Sequence, residues 1–336
     1  MLNPFSLPQM KALFPKGEGM RLNLQEKRHK IPIAPAGDPA FNILYDTCMR
    51  WPILRARMQV AAREKFQSGI GIPVERGLLR WWMLGYPGSE FLECYGLPRR
   101  AIESYLGNSL ILHVNPRELI RSTDWRGYSY KLRPSSSAFI WGGEWDVRRG
   151  DLRFGTRYRF ISELDEHRND LTRTERFAQL ATQLNAGRPW TSHQQGVLLN
   201  SRERILAYLH VYLGFLDDMA KNGFDETRGK DELGVAVSRE GRLLKINRGL
   251  HRLAMAQRLG LASVPVRVRA VHREWWYRTI GEAKGWAALE RAITGLKGCV
   301  PETQPGELDP VEWTEAFKWP AARVVAYKGA GKEGID

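Results

Sequence analysis

Lys245-Ile246-Asn247-Arg248-Gly249-Leu250-His251-Arg252-Leu253-Ala254-Met255-Ala256-Gln257-Arg258-Leu259-Gly260-Leu261, followed by Val264-Pro265-Val266-Arg267-Val268, reads as strand, glycine turn, helix and strand. The first four N–H groups of a helix lack intrahelical partners, and the aligned peptide dipoles add about half a positive charge at that end. A glycine directly before the helix, Gly249, lets an anionic group come close to the backbone. His251 and Arg252 then occupy the first turn, where basic side chains oppose the macrodipole. A helix serving packing alone favours Asp or Glu there. The arrangement is therefore that of a small phosphate cradle, with Asn247, Arg248, Gly249, Leu250, His251 and Arg252 as the binding residues.

Working outward, Gly234 to Ser238 and Arg242 to Ile246 flank Arg239-Glu240-Gly241 and predict a β-hairpin. Ile205, Leu209, Tyr212, Leu216 and Met219 recur at steps of four and three, the period of one buried helical stripe, which Asn222-Gly223 ends. Asn200 with Glu203, and Thr172 with Glu175, have capping-box spacing ahead of helices. The helix after Thr172 carries Phe177, Leu180, Ala181 and Leu184 on one face. Leu110 to Val114, closed by Asn115-Pro116, predicts a strand. Before it, Asn42 to Gln67, Val74 to Leu84 and Arg99 to Leu106 read as helical, and Leu78-Leu79-Arg80-Trp81-Trp82 offers an interface. The stretch up to Pro39 looks like an arm, and Gly329 to Asp336 like a frayed tail.

The Gly249-to-Arg252 turn, with this hairpin, helix and Val-Pro-Val strand around it, resembles the ParB/sulfiredoxin superfamily, whose shared motif there is Gly-x-His-Arg or Gly-x-Arg-Arg. Leu112 to Arg121 looks like that superfamily's opening strand and loop. The resemblance implies an α+β fold with a small mixed sheet and packed helices over residues 109–275, interrupted by a long insertion at about 122–199. Residues 1–108 would be a mostly helical N-terminal region, and 276–336 a short helical extension and tail. It also implies nucleotide-phosphate handling, since members bind CTP, consume ATP or phosphorylate free serine. The chain departs from these members. Sulfiredoxins carry a cysteine before the motif histidine, where this chain has Leu250, so sulfinic-acid reduction is not expected. Many members have Asp before the motif glycine, and here it is Arg248. The C-terminal residues are too short and too interrupted for a helix-turn-helix domain.

A phosphotransferase also needs a base and, in most cases, a carboxylate to hold Mg²⁺. Glu144 and Asp146, in Gly142-Gly143-Glu144-Trp145-Asp146, are the local candidates for both roles if the segment is extended, because alternate residues then share a face. In the competing reading the glycines turn the chain, Trp145 packs inward and the acids meet arginines. His251 is a third catalytic candidate, and His272 ends the last strand near the same ligand. His113, His193 and His210 stand apart from other ligand types, and no zinc spacing, P-loop or Gly-x-Ser-x-Gly elbow occurs.

Composition narrows the classes. The 336 residues carry 51 Lys and Arg against 37 Asp and Glu, a formal charge of +14, which favours anionic partners. Three scattered cysteines form no disulfide framework, and neither a signal peptide nor an apolar membrane span is evident, so a cytoplasmic protein is expected. Three readings remain open. One is a kinase-like phosphotransferase using ATP or ADP (or CTP) with Mg²⁺ and an unidentified acceptor. The second is a ParB-like DNA-binding or nuclease protein, with Arg148, Arg149, Arg173, Arg267, Arg269, Arg273 and Arg278 on backbone phosphates. The third is a nucleotide-gated interaction module without turnover. In the nucleic-acid reading, Trp275 and Trp276 between arginines would stack on bases.

Overall fold

The computed structural model describes residues 39–124, 133–193, 195–225, 232–246, 249–305 and 317–323. The N-terminal arm, Asn247, Arg248 and the tail from 324 lie outside the described residues. The chain is α+β, and it divides into two discontinuous compact units. One comprises residues 1–65 with 162–218, the other 66–161 with 219–336. Positions 108 and 275, where the sequence reading divides the chain, both fall inside the second unit.

Ten α-helices are described: α1 (Arg50–Phe66), α2 (Ile72–Met83), α3 (Ser89–Cys94), α4 (Arg99–Leu106), α5 (Thr156–Glu166), α6 (Glu175–Asn185), α7 (Arg202–Asn222), α8 (Leu250–Leu259), α9 (Arg273–Ile280) and α10 (Gly285–Leu296). The strands are β1 (Ile111–Val114), β2 (Arg121–Thr123), β3 (Ile140–Trp141), β4 (Arg149–Asp151), β5 (Thr191–Ser192), β6 (Val197–Leu198), β7 (Gly234–Val237), β8 (Arg242–Lys245), β9 (Val264–His272) and β10 (Val300–Pro301). A π-helical turn at Gln67–Gly71 links α1 to α2.

In the second unit eight strands form one mixed sheet in the order β1-β9-β7-β8-β2-β4, with β3 also on β9 and β10 also on β8. The β7–β8 hairpin is antiparallel, β9 runs parallel to β7, and β1 is antiparallel to β9. The predicted hairpin and strands are therefore present, and Gly241 turns the hairpin at φ +87°. Ala138, Trp141, Trp145, Ala236, Leu244 and Ala270 pack into a core cluster in this unit. Val235, Val268 and Leu259 are fully buried. Burying one such aliphatic side chain contributes roughly 1.5–3 kcal/mol.

The chain after β9 is built into this sheet rather than appended to it. Trp276 is fully buried and donates to Glu93, which also accepts from Trp82. Trp275 is buried as well, so neither tryptophan is placed to stack on bases. The strand β10 extends the sheet, and Arg323 N–H donates to the carbonyl of Leu259 at the end of α8.

The helix α7 begins in the first unit and ends in the second, and it buries Ile205, Leu209, Leu216 and Met219 of the predicted stripe while Tyr212 is half-buried. Its cap is Ser201, whose hydroxyl accepts from Arg204 N–H, one residue beyond the predicted Asn200. The cap of α6 is likewise Thr174 and not Thr172: its hydroxyl accepts from Phe177 N–H. Asp170 accepts from Thr172 N–H in a separate short turn and shifts the helix start by two residues.

Candidate functional site

The glycine turn forms as expected. Gly249 is left-handed (φ +68°, ψ 23°) and directly caps α8, whose first turn contains no acid. A residue with a Cβ would be strained in this conformation by about 1–2 kcal/mol. His251 packs edge-on against Phe160 at 6.0 Å. Arg252 is less open than the sequence implies. Its guanidinium lies 4.2 Å above the Phe224 ring and donates to the carbonyl of Asp225, so it braces the chain that leaves α7.

Lys245 is a neighbour that the sequence reading did not single out. It ends β8 with its side chain fully buried, and its ammonium donates to the carbonyls of Gly234 and Ile246. No local signal marks it as buried, because its burial depends on strands contributed from elsewhere in the chain. At the far end of α8, Gln257 is buried and donates to the carbonyls of Pro116 and Leu119, which ties the β1–β2 loop to the helix.

Glu144 and Asp146 do not join this turn. The segment after β3 is a turn and not an extended strand, so Glu144 is exposed while Asp146 is fully buried. Asp146 accepts from the guanidinium of Arg239 at 2.8 Å and from Arg239 N–H at 2.8 Å, and its carboxylate is thereby enclosed. Burial acts to raise its pKa, but the Arg239 hydrogen bonds outweigh that and hold the carboxyl below its usual value. Arg239 sits in the turn between β7 and β8, whereas Gly249 follows the other end of β8. A four-residue strand separates the two ends by about 13 Å.

His272 belongs to the Asp146 end. Its Nε2 donates to the carbonyl of Gly143 at 2.9 Å, and its Nδ1 accepts from Glu274 N–H at 3.1 Å, capping α9. Both ring nitrogens are committed to holding loops. Trp145 is buried against this ring at 5.8 Å. The competing reading of the Gly142–Asp146 segment, with tryptophan inward and an acid on an arginine, describes Asp146.

These contacts take Asp146 out of the metal-ligand candidates. The Asp146 oxygens are occupied by Arg239, Glu144 points to solvent, and among the described residues no three His, Cys, Asp or Glu side chains could together hold a metal ion. Asp146, as Arg239 holds it, does not fit Mg²⁺.

Most arginines expected on nucleic-acid phosphates are engaged internally. Arg149 pairs with Glu302 and Glu240, Arg267 with Glu232, Arg269 with Glu103 and Glu232, and Arg148 with Asp124. Arg273 donates to the carbonyl of Cys94, and Arg278 to that of Arg239. Arg173 is exposed.

All three thiols are free; Cys299 is buried, which pushes its pKa up to about 11. Among the described residues no helix is long and apolar enough to cross a membrane. Compared with protein-family models, with curated proteins and with solved structures, the chain shows no match in any of the three.

Proposed function

We propose that the protein binds a nucleoside di- or triphosphate by its phosphates at the Gly249–Arg252 turn, the role that the ParB/sulfiredoxin-like pattern implies. The observation that carries the reading is left-handed Gly249 at the head of α8, with no acid in the first turn and His251 in it. An arriving phosphate reverses the unfavourable meeting of a basic first turn with the helix dipole. ATP, ADP and CTP share the chemistry this turn would recognise. A kinase-like transfer to an acceptor extends the same reading, with Glu144 and Asp146 having no part in it. Binding is therefore the function proposed first.

The test is a thermal-shift titration with ATP, ADP, CTP and GTP, with and without Mg²⁺, on the wild type and on His251→Glu. A ligand that binds only the folded state raises Tm by mass action. His251→Glu puts an acid where the macrodipole favours one, by about 0.3–1 kcal/mol, which offsets the lost ring contact with Phe160. It repels phosphate all the same. A dose-dependent shift in the wild type that disappears in the variant supports the site. No shift, or an equal shift in both, contradicts it.

The nucleic-acid reading has one observation of its own. On α1, Arg50, Arg55, Arg57 and Arg63 have no ion-pair partner among the described residues. Duplex DNA binding through them would lose affinity with salt at a log–log slope of about −0.9 per phosphate neutralised. Arg55→Ala and Arg63→Ala together should make that slope shallower. An unchanged slope excludes α1 as the contact.

A further inference from the structure

Away from the glycine turn, and independently of any reading of it, a groove of about 550 Å³ opens among α2, α4 and α10 in the second unit. That volume lies within the range of small-molecule sites, roughly 300–1,000 Å³. Leu79, Met83 and Ala101 contribute its apolar lining, and Leu79 and Ala101 are themselves buried. Tyr105 and Trp286 also line it as an edge-to-face pair with ring centroids 5.6 Å apart. Both rings are substantially exposed, at 53% and 42%. Edge-to-face pairs leave ring faces open on which a further flat ring can stack.

The groove is also cationic. Arg76 and Arg80 line it from one face of α2, four residues apart, where side chains sit about 5–6 Å from each other. Like charges at this spacing are mildly destabilising. The nearby carboxylates do not relieve them. Glu75 pairs with Arg100, and Glu103 pairs with Arg99 and Arg269. Arg76 donates only to the neutral hydroxyl of Ser104, and the Arg80 guanidinium has no partner among the described residues. Two guanidinium groups without an anion, beside exposed aromatic faces and an apolar lining, complement one kind of ligand.

We propose that this groove binds a small aromatic anion, with its ring on Tyr105 and Trp286 and its carboxylate or phosphate between Arg76 and Arg80. Arginine forks recognise both oxyanions by paired, charge-assisted hydrogen bonds.

The test uses 8-anilinonaphthalene-1-sulfonate as the probe, titrated into the full chain and read by its own fluorescence. N-phenyl-1-naphthylamine serves as the uncharged analogue. Arg80→Gln should weaken probe affinity about tenfold, the value of one charge-assisted hydrogen bond. Trp286→Ala should weaken it by a similar factor, and the uncharged analogue should bind more weakly than the sulfonate. Arg252→Ala should leave probe binding unchanged, which separates this site from the glycine turn. Displacement by 1-naphthoate or by 1-naphthyl phosphate then identifies which oxyanion the arginines prefer. The proposal is overturned if Arg80→Gln and Trp286→Ala both bind the probe as the wild type does, or if neither naphthyl anion displaces it. It is also overturned if sedimentation reveals a dimer that Trp286→Ala dissolves, because a second copy of the chain would then fill the groove. Arg80 is exposed on α2, so Arg80→Gln reports on the groove even if Trp286→Ala fails to fold.

Discussion

The two ends of the β7–β8 hairpin carry charge in opposite ways. At the turn end Asp146, Arg239 and His272 form a closed set in which the carboxylate is held by Arg239 and both nitrogens of His272 are bonded to backbone. At the other end left-handed Gly249 caps α8, whose first turn holds His251 and no acid. The turn end contains the residue types of an active site and uses them to hold the fold. The Gly249 end holds a basic first turn at a helix N-terminus. A perturbed carboxylate marks a functional site only when its partners leave an approach.

The sharpest way to break this contrast is Arg239→Ala. Removing the partner of a fully buried carboxylate should destabilise the protein by about 3 kcal/mol or more, measured by chemical denaturation. Nucleotide affinity, read on the folded variant, should not change. A loss of binding with little loss of stability would make the turn end the site.

The same pair sets an acid dependence. The Asp146 carboxyl sits below its usual value in the folded protein, so its contribution is present above the unfolded value of about 3.9 and is lost as pH falls through the folded one. Stability of the wild type should therefore fall with acidification below about pH 4. Asp146→Asn should flatten that part of the curve, and an equally steep curve in the variant would mean the carboxylate is not held as described.

Arg252→Ala is expected to have a smaller effect. Loss of the stack on Phe224 should cost about 1 kcal/mol, seen as a lower denaturation midpoint. The sequence alone treats Arg252 as a ligand-facing residue that supports little of the fold, and an unchanged midpoint would favour that view over the packing described.

The parts legible in the sequence are the local ones. The β7–β8 hairpin, the left-handed Gly249, α8 and β9 each follow from glycine placement or periodicity within a few residues. The stripe of α7 followed in the same way, while its cap lay one residue from the predicted one because Ser201 competes with Asn200 for the same role. The two-residue strands β3 and β10 have too little sequence for a period, and they exist only through pairing with β9 and β8. Asp146 illustrates the limit for sites. Its types and spacing suggested catalysis, and its partner Arg239 lies 93 residues away. Lys245 was readable as a charge but not as buried, since burial there depends on strands contributed from elsewhere in the chain.

On the proposed reading the Gly249 end, and not the Asp146 end, meets a phosphate. Calorimetric titration of ATP, ADP and CTP into the wild type, His251→Glu and Arg239→Ala tests it most directly. Saturable binding is expected in the wild type and in folded Arg239→Ala, and none in His251→Glu. Binding retained in His251→Glu, or lost in a folded Arg239→Ala, would contradict it.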